Sequence, residues 1–246
     1  MSDAPRISIV IPAYNEGDSI VPCLERILEA ISWPCEVLVV VDFAEDSTRA
    51  VLSAHPDERV RVVISSYGRG PANAIRFGFD NALAPIVVVT MADGSDDPEQ
   101  IEGLARLVER GVAVAAASRY AAGGQQVGGP LFKGLMSRAA GRSLHLFARV
   151  GTSDATNSYK AYRRDFVTAV GIDSRFGFEI GLELTAKAKR LGLPIAELST
   201  IWLQRDGGVS NFKLWTWIPK YLHWYRFAFG SRLTLDQLRD KRMSHR

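Results

Sequence analysis

Five short runs of β-branched and apolar residues, at 7–11, 36–41, 60–64, 86–90 and 112–118, recur along this 246-residue chain with helix-like stretches between them. Each run is apolar at successive positions rather than at alternate ones, so neither face of the strand it forms can be left in water. Strands covered on both faces belong to a parallel sheet. The alternation of strand and helix therefore predicts an α/β fold with a mostly parallel central sheet flanked by helices. The helices carry their own punctuation. Around 99–110, Asp97 can cap the start, Pro98 suits the first helical position and Gly111 ends the segment. Another helix starts near Phe178 and stops at Gly192, with Pro194 beyond it, and a last strand is expected over 196–203.

In an open α/β sheet, ligands sit beyond the carboxyl ends of the strands. The first run is followed by Pro12, Ala13, Tyr14, Asn15 and Glu16, the second by Asp42, and the fourth by a stretch holding Met91, Asp93, Ser95, Asp96 and Asp97. Three strand ends thus offer carboxylates or a tyrosine to one crevice. Neither G-x-G-x-x-G nor G-x-x-x-x-G-K-[ST] occurs, so no dinucleotide fingerprint or Walker loop accounts for that crevice. Hard oxygen ligands, Asp93 with Ser95 or with Asp96 and Asp97, suit Mg2+ or Mn2+ bridging a diphosphate. Asp97 fits a helix cap better than a metal ligand, because Pro98 follows it.

Length and composition narrow the function classes. The length suits one domain with a modest extension, divided here as 1–210 and 211–246. A net charge of +3 gives no footprint for nucleic acid. Cys23 and Cys35 lie in apolar surroundings and His55, His145, His223 and His245 show no paired spacing, so neither a disulfide framework nor a zinc site is expected. The first residues, MSDAPRIS, run straight into a strand without a signal-peptide pattern, and no uninterrupted apolar stretch is long enough to span a bilayer. A cytoplasmic setting is expected, with any membrane contact made from the surface. After Gly208, Phe212, Trp215, Trp217, Tyr221, Trp224, Tyr225, Phe227 and Phe229 crowd together with Lys213, Lys220 and Arg226. Rings mixed with cations over 212–229 suit a bilayer interface, and periodicity leaves open a helix that packs the rings into the core. The basic tail, 231–246, is expected to be mobile.

The pieces IVIPAYNEGDSI, VVVDFAEDST, VVVTMADGSDDPEQI, ASRYAAGG, DATNSYKAYRR, FGFEIGLEL and QRDGGVSNF, in this order and spacing over 7–210, resemble glycosyltransferase family 2, and within it the dolichol-phosphate (polyprenyl-phosphate) mannose synthases. The resemblance implies the GT-A fold. It implies that Pro12, Tyr14 and Glu16 form the first nucleotide-binding turn, that Asp42 contacts the base or ribose, and that Asp93 is the last Asp of a D-x-D metal motif with Ser95 a further metal contact. Arg119 and Lys133 resemble a cationic pair that receives an acceptor phosphate. Arg205 with Ser210 resembles a late loop closing over the donor diphosphate. On the residues alone, Arg119 and Arg205 also suit ion pairs.

Two positions depart from the pattern: Met91 stands where the first Asp of D-x-D is expected, and Val41 where an acidic residue is common. The implied activity is a metal-dependent (Mg2+ or Mn2+) inverting transfer of one sugar from a nucleoside diphosphate sugar, GDP-mannose by default, to a polyprenyl or dolichyl phosphate. Arg205 and the metal would neutralise the leaving group. There is no Q-x-x-R-W and no clear E-D pair that would supply a base, and a lipid phosphate, already anionic, needs only cations to position it. A saccharide, lipid or natural-product hydroxyl remains the alternative acceptor. Met91 keeps open a nucleotide-sugar binding module without catalysis.

Overall fold

The computed structural model describes residues 4–53, 55–204 and 214–243, without the side chains of 133, 214–217, 242 and 243. The chain opens with β1 (Ile7–Pro12), α1 (Ile20–Ala30), β2 (Cys35–Val41), α2 (Ser47–Leu52) and β3 (Val60–Ile64). It continues through α3 (Pro71–Asn81), β4 (Ile86–Val89), α4 (Gln100–Glu109), β5 (Val114–Ser118), β6 (Gln125–Val127) and α5 (Leu131–Leu146). After a long loop come β7 (Lys160–Arg163), α6 (Arg164–Val170), α7 (Ile180–Leu191), β8 (Ile195–Ser199), β9 (Ile201–Leu203), α8 (Leu214–Ala228) and α9 (Leu235–Met243).

Seven of the described strands form one sheet in the order β3-β2-β1-β4-β7-β5-β8, in which only β7 runs against the rest. The runs of β1, β2, β4 and β5 are buried on both faces, as two-sided coverage requires, whereas β3, at the edge of the sheet, is only partly buried and leaves Ile64 exposed. Ile7, Ile9 and Ile11 of β1 join the side chains of α1 and α4 in one core layer, while Val10 meets α3, with α6 and α7 on the same side. This is the mostly parallel, helix-flanked sheet expected from the sequence. The local rules hold at particular helix ends: Gly192 caps α7 in the left-handed conformation and Pro71 takes the first turn of α3.

Three expectations need correction, and one that was left open is decided. The last strand breaks at Thr200, whose N–H goes to the Ser118 carbonyl and whose carbonyl takes Gln125 N, so β9 leaves the main sheet to pair with β6. The helix assigned to 99–110 begins at Gln100; Asp97 closes the turn before it, accepting from Glu99 N at 3.2 Å. The tail holds α9, whose Leu238 is buried in the layer of α6. And of the two settings left open for the rings of 212–229, Trp224 takes the core: it is 8% exposed. It packs with Leu144, Leu182 and Ala186, donates from Nε1 to Ser174 Oγ at 3.1 Å, and lies under Lys187. A ring whose apolar body and N–H are both satisfied inside gains more there than at the surface.

Gly78 of α3 lies directly on β1, where an added Cβ would collide with the γ-methyls of Val10. Gly78→Ala is expected to overpack this contact and lower stability by about 1–3 kcal/mol, as measured by urea unfolding.

Candidate active site

Because β1, β2, β4 and β5 are parallel, the turns that follow them open on one edge of the sheet. After β1 the chain turns through Asn15, held at φ 52. Asn15 N donates to Asp46 at 3.0 Å, Glu16 N to Thr48 Oγ1 at 2.9 Å, and Ser47 N to the Asn15 side chain at 3.3 Å. Asp46, 1% exposed, also caps α2 by accepting from Thr48 N. One carboxylate thereby staples the β1 and β2 turns together, and Tyr14, half exposed, stands edge-on to Phe43 above them. Asp42 accepts from Gly70 N at 2.9 Å; burial raises its carboxyl pKa, against that hydrogen bond.

After β4, Asp93 accepts from Ser95 N at 3.0 Å and from Ser95 Oγ at 2.6 Å, forming a closed loop. Asp96 turns inward to Thr90 Oγ1 and Met91 N. Burial, and then the charge of Asp93, push its carboxyl up to about 6. Met91, Thr90, Cys23 and Arg26 line a small recess beside it, so the methionine forms wall where a second acidic ligand was expected. Among the described residues no group of three or more His, Cys, Asp or Glu could hold a metal ion unaided.

After β5 comes Arg119. Its Nε and Nη2 lie 2.7 and 2.9 Å from the two oxygens of Asp154, which also accepts from Arg119 N at 3.1 Å, and Nη2 reaches Ser137 Oγ on α5. Asp154 is wholly buried, so the pair is a forked ion pair set into the fold, rather than a surface contact. Nη1 has no acceptor among the described residues. The Asp154 loop is itself held by Lys160, the first residue of β7, whose buried Nζ donates to the carbonyls of Ala155 and Asn157. Burial pulls the Lys160 amine down to about 7. Its neighbour Tyr159 donates to the Asp97 carbonyl at 2.8 Å, linking the β4 and β7 loops.

The site residues expected from the sequence thus fall in two groups on one edge: Pro12, Tyr14, Glu16 and Asp42 at β1 and β2, then Asp93 and Ser95 at β4 with Arg119 beyond β7. Lys133 lies on α5 with its side chain outside the described atoms, and Arg205 and Ser210 lie outside the described residues. Sequence reasoning passed over Asp46, Asp154 and Glu179. Glu179, at the start of α7, is 2% exposed, and its Oε2 has no partner among the described residues. Burial raises its carboxyl pKa, and the partly buried Tyr221 of α8 lies within electrostatic reach of both Glu179 and Arg119.

The sequence model of Glycosyl transferase family 2 matches residues 8–171. The chain belongs to this family. Its curated relatives include a polyprenol monophosphomannose synthase of Mycolicibacterium smegmatis, 31% identical over 84% of this chain and 80% of its own length. An undecaprenyl-phosphate mannosyltransferase of Micrococcus luteus is likewise 31% identical, over 84% of this chain and 87% of its own. Among solved structures, the glucosyl-3-phosphoglycerate synthase of Mycobacterium tuberculosis, determined with Mn2+, UDP-glucose and phosphoglyceric acid, superposes with a TM-score of 0.69 at 18% identity, covering 93% of this chain and 81% of that one. A mannosyltransferase of Pyrobaculum calidifontis in complex with GDP-Man and Mn2+ gives 0.62 at 18% identity, covering 98% and 70%. The chain is a glycosyltransferase of GT-A fold, and the strand-end edge is its candidate active site.

Two outcomes test this architecture. Removing one partner of a buried, hydrogen-bonded ion pair leaves the other charge uncompensated, so Asp154→Ala should cost about 3–5 kcal/mol of unfolding free energy. For Lys160 the folded pKa lies below its ordinary 10.5, so between about pH 7 and 10.5 the unfolded chain binds more protons and stability rises with pH. Its contribution, up to about 1.4 kcal/mol per pH unit, should vanish in Lys160→Met when unfolding is compared at successive pH values across that window.

Proposed function

We propose that this glycosyltransferase moves a single sugar from a nucleoside diphosphate sugar, GDP-mannose being the donor to test first, to a polyprenyl phosphate, with inversion at the anomeric carbon. The observation that carries the acceptor reading is Arg119. Its guanidinium is anchored by Asp154 through two nitrogens while Nη1 has no acceptor among the described residues, at a strand end next to the Asp93 loop. An anionic phosphate needs no general base, only a positioned cation. The names of the polyprenol and undecaprenyl-phosphate relatives support the same acceptor class.

On the donor side, Tyr14, Glu16 and Asp42 stand where a nucleoside would lie, and Asp93 with the Ser95 hydroxyl is the set that would hold Mg2+ or Mn2+. One carboxylate suits a hard ion that takes its other ligands from water and substrate phosphates. When bound, such an ion supplies charge stabilisation for the departing nucleoside diphosphate. Arg205 and Ser210 are assigned to the same diphosphate by resemblance. Contact with a membrane is assigned to the lipid acceptor's side of the site.

One observation favours the alternative acceptor, a hydroxyl. Glu179 offers a buried carboxylate oxygen without a partner among the described residues, the kind of group that takes a proton from an alcohol. The two readings separate by mutation. With a polyprenyl phosphate, Arg119→Ala should lose transfer by about 10²-fold or more while nucleotide affinity, read by calorimetry, stays within a few-fold; equal loss of nucleotide affinity would place Arg119 on the donor. Glu179→Gln should leave that transfer largely intact, whereas loss specific to a hydroxyl acceptor would favour the second reading.

Asp93→Asn keeps the side-chain shape and removes the charge. Metal-dependent binding of GDP-mannose and transfer should both be lost, and a variant that transfers with unchanged Mn2+ dependence would remove Asp93 from the site.

A further inference from the structure

A helix packed on a sheet ordinarily turns charged side chains to water, as α1 does with Glu25, Arg26 and Glu29 and α4 with Arg106 and Glu109. The start of α5 does not. Its outward side chains are Leu131, Phe132 and Leu135, which are 91%, 60% and 68% exposed. Positions 131, 135, 138 and 142 recur at the helical period, so Leu131 and Leu135 share one stripe with Arg138 and Arg142, which are exposed as well. No acid is interspersed: from Tyr120 to Ser153 the chain carries neither Asp nor Glu. Large apolar side chains are thus held out in water on a face that otherwise bears positive charge.

The same helix is tied to the candidate active site. Ser137 Oγ accepts from Arg119 Nη2 at 3.3 Å, and the Tyr120 hydroxyl donates to the Gly134 carbonyl at 3.4 Å. The guanidinium groups of Arg119 and Arg138 each lie 5.0 Å from the centre of the Tyr120 ring. From there α5 runs to the opposite edge of the sheet, where Gly151, just beyond it, lies against Ile195 at the start of β8. The bare leucines and phenylalanine therefore sit at the end of α5 that adjoins Arg119. Apolar side chains beside cations call for an apolar phase faced with negative charge, which a bilayer containing anionic phospholipid supplies. A second copy of the chain, docked face to face, would instead set these cations against their own kind. Among the described residues no helix is long and apolar enough to cross a membrane, so such contact would be made by docking. We infer that the exposed face of α5 docks on an anionic bilayer, with Leu131, Phe132 and Leu135 at the headgroup–acyl boundary and Arg142 on phosphate, which brings Arg119 to the membrane that carries the acceptor. The link to the acceptor rests on the lipid-phosphate reading of the site; the docking itself does not.

The test is co-sedimentation of the full chain with phosphatidylcholine vesicles, with and without phosphatidylglycerol, in the absence of donor and acceptor. Leu131→Ser and Phe132→Ser should each weaken binding by about tenfold, and Arg142→Gln should weaken it by about fivefold on the anionic vesicles only. Leu146→Ser and Phe147→Ser, equally exposed but at the far end of α5, should bind like the parent. Thermal unfolding of each variant, matched to the parent, excludes misfolding as the cause. Transfer to a polyprenyl phosphate embedded in vesicles should fall with the binding in Leu131→Ser, while transfer to a short, water-soluble prenyl phosphate stays at the parent level. A parent that binds vesicles through this face but transfers to neither prenyl phosphate would remove the proposed reaction and leave the docking standing. Undiminished vesicle binding by the Leu131→Ser, Phe132→Ser, Leu135→Ser triple variant would overturn the inference, as would an equal loss in Phe147→Ser. So would a parent that is dimeric by analytical ultracentrifugation and a triple variant that is monomeric with vesicle binding intact, since the face would then belong to a second copy.

Discussion

Burial on both faces is the constraint from which the rest of the molecule follows. A strand whose every side chain is covered by helices has no room for groups that must meet water-borne substrates, because an unpaired polar atom there costs about 1–3 kcal/mol. Polar side chains that enter the sheet find partners there: Ser8 donates to Glu36 and accepts from Ala84 N, and Lys160 donates hydrogen bonds to main-chain carbonyls. Everything that could handle a ligand is therefore expelled to the strand ends. Parallel pairing then sends those ends to the same edge, so the site is a product of packing as much as of chemistry.

At that edge the charges are sorted. Carboxylates gather at the ends of β1, β2 and β4, and the guanidinium of Arg119 stands on the far side of β7. The sorting is held by main-chain and side-chain bonds rather than by attraction between the two groups: Asp46 staples the acidic turns, and Asp154 holds the arginine. An arginine pre-paired in this way loses little freedom when a further anion arrives, since its fork is already oriented. Asp96, driven inward between Thr90 and Met91, shows the cost of crowding acids, because its proton is held to a higher pH than an exposed carboxyl would hold it.

The parts of this arrangement legible in the sequence were those governed by local rules. The apolar runs of β1, β2 and β4 could only be buried strands, and Gly192 could only end α7. Tyr14, Asp42 and Asp93 could be found because they follow those runs directly. What escaped had its reason elsewhere in the chain. β7 is four residues of Lys, Ala, Tyr and Arg, with no strand-like alternation, and is a strand because β4 and β5 flank it. Asp154 reads as an ordinary loop residue until Arg119, 35 positions earlier, is laid against it. For Trp224, composition suited an interface and periodicity allowed the core, and only the groove between α5 and α7 decides that it belongs inside.

The placement of β7 also bears on how the chain is made. β3, β2, β1 and β4 are contiguous in sequence and can join as they leave the ribosome, but the free edge of β4 has no neighbour until residues 160–163 are synthesised. β5, already complete by then, pairs on its inner side with the same late strand. For some seventy residues of translation, an apolar strand edge waits exposed, the kind of edge that recruits other chains. The fold is thus closed from its middle rather than from its ends. A fragment ending anywhere between β4 and β7 would keep half a sheet and leave one edge of β4 without its partner strand.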